Sequence, residues 1–214
     1  MGRTMTMIGL ERMNAYLESC NVFLDTVKND LTAFAENMNM EEIEAAAQLI
    51  IEAQKNGNRV HVSGIGKPGH IAGYISSVMS STGNPTYFLH GTEAVHGSCG
   101  QLVEGDIVIF ISNSGETAEM RSTVLAVKNN GCKVIGVSGN SNSWLAKESA
   151  VHLFAGVQKE GGPMNRAPRM SILAETLVLQ TLSVYLQKYV DISPQEYVKR
   201  HPGGALGQLR DNEK

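Results

Sequence analysis

Two short turns carry the residue types best suited to chemistry. Ser112-Asn113-Ser114-Gly115-Glu116-Thr117 follows the apolar run Ile107-Val108-Ile109-Phe110-Ile111 and precedes a helical pattern. The hydroxyls of Ser112, Ser114 and Thr117, with backbone N–H groups at a helix start, make an anion site, and Gly115 lets the backbone approach a phosphate closely. Ordinary helix capping by Ser114 is the competing explanation. Three hydroxyls in six residues exceed what one cap needs, which favours a phosphate. The second turn, Gly64-Ile65-Gly66-Lys67-Pro68-Gly69, spells the GxGxxG of dinucleotide sites. Such a site also needs an acidic residue about 20 positions on, to hold a ribose hydroxyl. Leu89 and His90 stand there instead, with Glu93 a little beyond, so the turn reads better as a tight strand-to-helix connection. Lys67 within it must face solvent or an anion, because a lysine is not left unpaired among apolar atoms.

Both turns need strands before them and helices after them, and the sequence supplies these. Two helical patterns, Ile8 to Met38 and Glu41 to Asn56, open the chain, and Gly57 stops the second. Strands are predicted at Arg59 to Ser63, Pro85 to Leu89, Asp106 to Ser112, Lys133 to Ser138 and Val151 to Phe154. Helices are predicted at Gly69 to Ser81, Thr117 to Asn129, Ser143 to Lys147 and Met170 to Tyr189. This alternation implies a five-stranded parallel sheet with helices on both faces, whose ligands bind at the carboxyl ends of the strands. No repeat, low-complexity tract or linker divides the 214 residues.

Composition narrows the function classes. A formal charge of −3, with 18% charged and 42% hydrophobic residues, fits neither an electrostatic nucleic-acid binder nor a disordered chain. Cys20, Cys99 and Cys132 are odd in number and form no CxxC pair, which argues against a disulfide framework and a cysteine zinc site and suggests a reducing, cytoplasmic compartment. The Met1 region reads as no signal peptide. The uncharged stretch from Pro68 to Thr92 is too rich in Gly, Ser and Asn for a membrane span.

The Ser-Asn-Ser-Gly-Glu-Thr loop and the Gly-Ile-Gly-Lys turn resemble the sugar isomerase (SIS) domain, a sugar-phosphate-binding fold. Ser81-Thr82-Gly83, Glu93-Ala94-Val95-His96-Gly97, Lys159-Glu160 and, most selectively, His201-Pro202-Gly203-Gly204-Ala205-Leu206-Gly207 resemble the arabinose-5-phosphate isomerases. The resemblance implies a three-layer α/β/α sandwich with flavodoxin-like winding. It is divided into N-terminal helices at about 8–56, a phosphate-sugar core at about 57–190 and a C-terminal active-site segment at about 191–214. It also implies interconversion of D-arabinose 5-phosphate and D-ribulose 5-phosphate through an enediol, feeding Kdo synthesis, in a homotetramer with shared active sites.

Residue by residue, the resemblance assigns catalysis to Lys67, Glu119, Glu160 and His201. It assigns substrate contact to Gly66, Gly83, Asn84, His90, His96, Ser112, Asn113, Ser114, Gly115 and Thr117. Glu119, one turn beyond the phosphate loop, is by position alone better read as an exposed carboxylate complementing the helix dipole; the resemblance makes it the leading general base. Glu160 lies in a Gly- and Pro-rich loop suited to a mobile lid, and His201 is a proton-shuttling group expected to enter a neighbouring subunit. Zinc at His90 is implied as adventitious or inhibitory, and no cofactor is required. His61 and His152 are expected to be structural, with His70 packing or capping the first core helix.

The match departs at Ala167-Pro168-Arg169-Met170-Ser171-Ile172, where the family carries short hydroxyl side chains. Arg169 brings a charge suited to a further phosphate or carboxylate. Two alternatives therefore stand beside the pentose reading: an isomerase of another phosphosugar, such as a hexulose 6-phosphate, and a non-catalytic sugar-phosphate sensor. After Gly207 only Gln208 to Lys214 follow, too few for the paired CBS modules of the longer isomerases.

Overall fold

The computed structural model describes residues 7–214; the reading of the Met1 region falls largely outside them. Two helices come first, α1 (Met7–Glu36) and α2 (Met40–Lys55). Asn39 starts α2 by accepting the N–H of Glu41, and two first-turn glutamates favour the positive end of the helix. Strand and helix then alternate through β1 (Val60–Gly64), α3 (Lys67–Ser81), β2 (Thr86–Phe88), β3 (Ile107–Ile111), α4 (Ala118–Asn129), β4 (Lys133–Ser138), α5 (Trp144–Glu148), β5 (Val151–Phe154) and α6 (Met170–Val190). A short helix, α7 (Pro194–Arg200), follows.

The strands pair in parallel in the order β2-β1-β3-β4-β5, which is the flavodoxin-like winding. Alternating side chains along the strands divide the core between two faces. Val60, Val62, Ile107, Ile109, Ile111, Ile135, Val137 and Leu153 bury against α2, α3 and α6, and α1 lies outside α6. Val108, Phe110 and Val134 bury against α4 and α5. Sheet order reverses between β1 and β3, so the loops after these two strands flank the crevice where such folds bind ligands.

Every expected strand and core helix forms, with ends shifted by a few residues at most. The sequence pattern does not anticipate α7 or the 3-10 turns at Glu93–His96, Ser98–Gln101, Ala205–Gly207 and Asp211–Glu213. Helix α7 starts on a capping box, in which Ser193 and Glu196 each accept the other's backbone N–H, with Pro194 in the first turn.

The amino end of the sheet is held by Asp106, whose side chain is fully buried. It accepts the N–H of Arg59 at 2.8 Å, the N–H of Val103 at 3.0 Å and the ring Nε2–H of His61 at 3.2 Å. Burial alone would raise its pKa, but the two backbone donors and the charge of Arg59 outweigh it and hold the carboxyl below the ordinary range. Burial also lowers His61, against the opposing pull of Asp106, so its ring is neutral at pH 7. His152 bonds Ser138 Oγ at 2.8 Å, and both strand histidines are structural as expected. His70 is exposed in the first turn of α3. Removing Asp106 orphans two backbone donors and a histidine at about 1–3 kcal/mol each, so Asp106→Ala is expected to lower unfolding free energy by about 3 kcal/mol or more. Urea denaturation followed by circular dichroism checks this; a loss below about 1 kcal/mol, the cost of a single orphaned donor, contradicts the role given to Asp106.

Candidate functional site

The turn after β1 is shaped by close backbone packing. A Cβ on Gly64 would stand 2.7 Å from the Pro68 carbonyl carbon and 2.9 Å from the Gly69 nitrogen, so the strand runs directly against the start of α3. Gly66 caps that helix at φ 68°, and Lys67 is its first residue, exposed at the carboxyl edge of the sheet. The GxGxxG spelling thus reflects strand-to-helix packing, as expected.

The turn after β3 is braced from within and from α5. Ser112 Oγ lies 3.3 Å from Thr117 Oγ1 and accepts the Gly115 N–H at 3.2 Å; Ser114 Oγ accepts the Glu116 N–H at 3.2 Å. From α5, the Leu145 N–H donates to the Gly115 carbonyl at 3.0 Å and the Trp144 N–H to Glu116 Oε1 at 2.8 Å. Glu116 Oε2 also pairs with Arg121, whose guanidinium lies 5.2 Å from the centre of the Trp144 ring. Gly115 sits at φ 66°, where a Cβ would collide with the Ser143 side chain. Thr117 stands at the N-cap of α4 without a capping bond from its side chain, and the first-turn N–H groups have no intrahelical partner. A cleft of about 260 Å³ opens here, lined by Ile65 and Pro68 on one side and by Ser112, Asn113, Ser114 and Thr117 on the other. Donors, hydroxyls and the positive end of a helix make it an anion receptor.

Glu119 is exposed in the first turn of α4, two residues beyond Thr117 of this cleft. The loop after β2 packs on α4: Thr123 Oγ1 donates to the Gly91 carbonyl at 2.5 Å, which places the His90–His96 segment against that helix. His90 Nδ1 accepts the Glu93 N–H at 3.3 Å, leaving the neutral ring's proton on Nε2. Among the described residues no group of three or more His, Cys, Asp or Glu side chains converges, so His90 does not fit a closed zinc site.

Glu160 also lies at the carboxyl edge. Its Oε2 accepts the N–H groups of Arg169 at 2.6 Å and Ser171 at 3.2 Å, so the carboxylate caps α6, the helix packed against α2 and α3. The loop expected to act as a lid is a hydrogen-bonded turn in this structure. Asn165 Oδ1 accepts the N–H groups of both Glu160 and Gly161, with Asn165 in the left-handed conformation at φ 49°.

Three expected site residues stand elsewhere. Gly83 and Asn84 precede β2 at the amino end of the sheet; Gly83 packs on Ile192, and Asn84 is buried. His201 caps the end of α7, stacked on Tyr197 at 4.1 Å, in a cleft shared with Ser77, Ser81 and Tyr87. Ser77 lies ten residues along α3 from Lys67, about 15 Å of helix. Within one chain, Gly83, Asn84 and His201 therefore do not join the cleft. Short spacing from a strand does not tell which end of the sheet a residue occupies, and all three lie on the far side of α3 or β2. Sequence reasoning misses the bracing by Glu116, Ser143 and Trp144; Ser143 as the N-cap of α5 is the available signal.

The fold and site define a doubly wound α/β protein with an anion receptor at the carboxyl edge of its sheet. Residues 54–184 match the SIS domain family. This chain belongs to that family. It is 33% identical over 196 residues to the protein named arabinose 5-phosphate isomerase KdsD of Francisella tularensis, covering 92% of this chain and 58% of the relative. The protein of the same name from Escherichia coli K12 is 37% identical over 150 residues, covering 70% of this chain and 46% of the relative. The chain thus spans about half the length of these curated relatives. The solved structure of c3406 from E. coli CFT073 in complex with arabinose 5-phosphate superposes with a TM-score of 0.78 at 27% identity, covering 90% of this chain and 98% of that one.

Because Gly115 meets Ser143 and needs a positive φ, Gly115→Ala is expected to destabilise the fold by about 1 kcal/mol or more and to weaken binding of inorganic phosphate about tenfold or more, the loss of a charge-assisted hydrogen bond. Calorimetric titration with phosphate reads the second effect, and unchanged affinity would show that the anion binds elsewhere.

Proposed function

We propose that this protein is an aldose-ketose isomerase that interconverts D-arabinose 5-phosphate and D-ribulose 5-phosphate. One observation carries the reading: the hydroxyl-rich start of α4 and the turn around Lys67 face each other across a single cleft, and Glu119 lies in the first turn of that same helix. The names of the F. tularensis and E. coli relatives, and the arabinose 5-phosphate held by the c3406 structure, support this substrate.

A phosphate seated on Ser112, Ser114, Thr117 and the α4 N-terminus fixes one end of the sugar, with Gly66, Asn113, His90 and His96 around it. Glu119 then removes the proton from the carbon beside the carbonyl, and the electron pair moves to the carbonyl oxygen to give an enediolate, which takes the proton of the adjacent hydroxyl so that the carbonyl re-forms at the carbon that bore it. The same carboxyl returns the proton to the neighbouring carbon. Lys67 stabilises the charge that develops on oxygen. Glu160 presents a second carboxylate at the same edge. His201, on the far side of its own chain, serves ring opening in a neighbouring copy, which makes the working unit an oligomer, in our reading a tetramer. The metal-free acid-base route requires no cofactor, and zinc at His90 would be adventitious or inhibitory. Supply of arabinose 5-phosphate to Kdo synthesis in the cytoplasm is the corresponding cellular role. Among the described residues no helix is long and apolar enough to cross a membrane.

Incubation with D-arabinose 5-phosphate in deuterated water, followed by NMR, tests the proposal. Ribulose 5-phosphate carrying deuterium beside the carbonyl is expected from the wild type. Glu119→Gln is expected to reduce turnover by about a thousandfold, the scale of a lost general base, while phosphate affinity changes little. Binding without conversion or exchange would instead identify a sensor, and conversion of a hexulose 6-phosphate alone would move the substrate class.

A further inference from the structure

Helix α6 buries a carboxyl group within an otherwise apolar stripe. Glu175 has no exposed surface, and neither of its side-chain oxygens has a hydrogen-bond partner. Ser171, one turn earlier, is equally buried, and its hydroxyl is also unpartnered. Residues four apart share a helix face, and helical side chains lean toward the N-terminus, so Glu175 reaches toward Ser171. The Ser171 N–H is in turn one of the two donors to Glu160 Oε2. Two buried, unpartnered polar side chains thus stand one turn apart at the start of α6, next to the carboxylate that caps it.

We propose that Glu175 is a positioning residue for Glu160, acting through a hydrogen-bonded relay in which Glu175 donates to Ser171 Oγ and the Ser171 hydroxyl donates to the Glu160 carboxylate. Rotation of the Ser171 and Glu175 side chains gives each of these groups a partner, a strong incentive in an interior where an orphaned polar group is expensive. The relay moves no proton: one stays on Glu175, and Glu160 remains a carboxylate. Burial first, and then the charge of Glu160, raise the Glu175 pKa to about 8, so the donor is in place at neutral pH. On α1, α2 and α3, the helices packed against α6, no described group adds a charge acting on Glu175; Glu160 is the one that does. Because the folded value lies above the ordinary 4.5, stability contributed by neutral Glu175 is lost as pH rises from 4.5 to about 8. Above that range Glu175 becomes an anion, the relay loses its donor, and a second negative charge bears on Glu160.

This inference deepens the isomerase reading, since Glu160 is placed in that site. Its test is arranged to stand without turnover. Side-chain carboxyl ¹³C resonances of ligand-free protein are followed from about pH 4 to about pH 10, a window that spans the ordinary and the raised carboxyl pKa, in the wild type, Glu175→Gln and Ser171→Ala. In the wild type, the Glu160 signal is expected to show a second inflection near pH 8, where Glu175 titrates. Glu175→Gln keeps a donor but cannot titrate, so the inflection disappears; Ser171→Ala cuts the relay and shrinks it. Should Glu175→Gln fail to fold, the Ser171→Ala comparison decides alone. With arabinose 5-phosphate, the alkaline fall in kcat is expected to shift upward in Glu175→Gln, with KM nearly unchanged. A Glu160 titration indifferent to both substitutions overturns the relay. Absence of turnover in the wild type, with the inflection present, overturns the isomerase reading and leaves the relay standing.

Discussion

Helices α3, α4 and α6 all begin at the carboxyl edge of one parallel sheet, and the function derived for this protein depends on that alignment. A parallel sheet forces each strand to be followed by a connection, here mostly helical, running back across its face. The unsatisfied N–H groups of the helix starts therefore collect at one edge. Here Lys67 opens α3, the Ser112 to Thr117 loop and Glu119 open α4, and Glu160 caps α6. Positive helix ends favour an anion at the same edge of the sheet where Lys67, Glu119 and Glu160 stand.

Rigidity at that edge comes from behind the loop. The short helix α5 reaches under the phosphate turn through the N–H groups of Leu145 and Trp144, and Ser143 leaves no room for a side chain at position 115. The anion receptor is thus largely formed before a ligand arrives. An organised site spends less binding free energy on ordering its loops, leaving more for holding the sugar carbons against Glu119.

Much of this arrangement is legible in the sequence because its signals are local. Short, mostly uncharged strands, helix periodicity and a cluster of hydroxyls after β3 each lie within a short window, and each predicts the element found. What distance along the chain hides is which end of the sheet a residue occupies. Motif alone groups Gly83 and Asn84 with the site, whereas α3 carries the chain to the opposite end before them; His201, expected to serve a neighbouring subunit, also lies away from the cleft of its own chain. A Gly- and Pro-rich loop around Glu160 resembles a mobile lid; the role of that carboxylate as a helix cap depends on the tertiary approach of Arg169 and Ser171. Two local signals hold more than the pattern of helices and strands conveys: the Ser193-Pro194-Gln195-Glu196 capping box of α7, and Glu175, an acid within an otherwise apolar helical run.

The central claim is that phosphate, base and lysine meet in one cleft at the β1/β3 crossover, completed by His201 of a second copy. A crystal structure of Glu119→Gln grown with D-arabinose 5-phosphate tests it most directly. The account predicts phosphate oxygens within hydrogen-bond distance of Ser112, Ser114 and Thr117, the sugar between Lys67 and position 119, and a His201 ring contributed by a neighbouring chain. A phosphate bound at the amino end of the sheet, near Gly83, would contradict it.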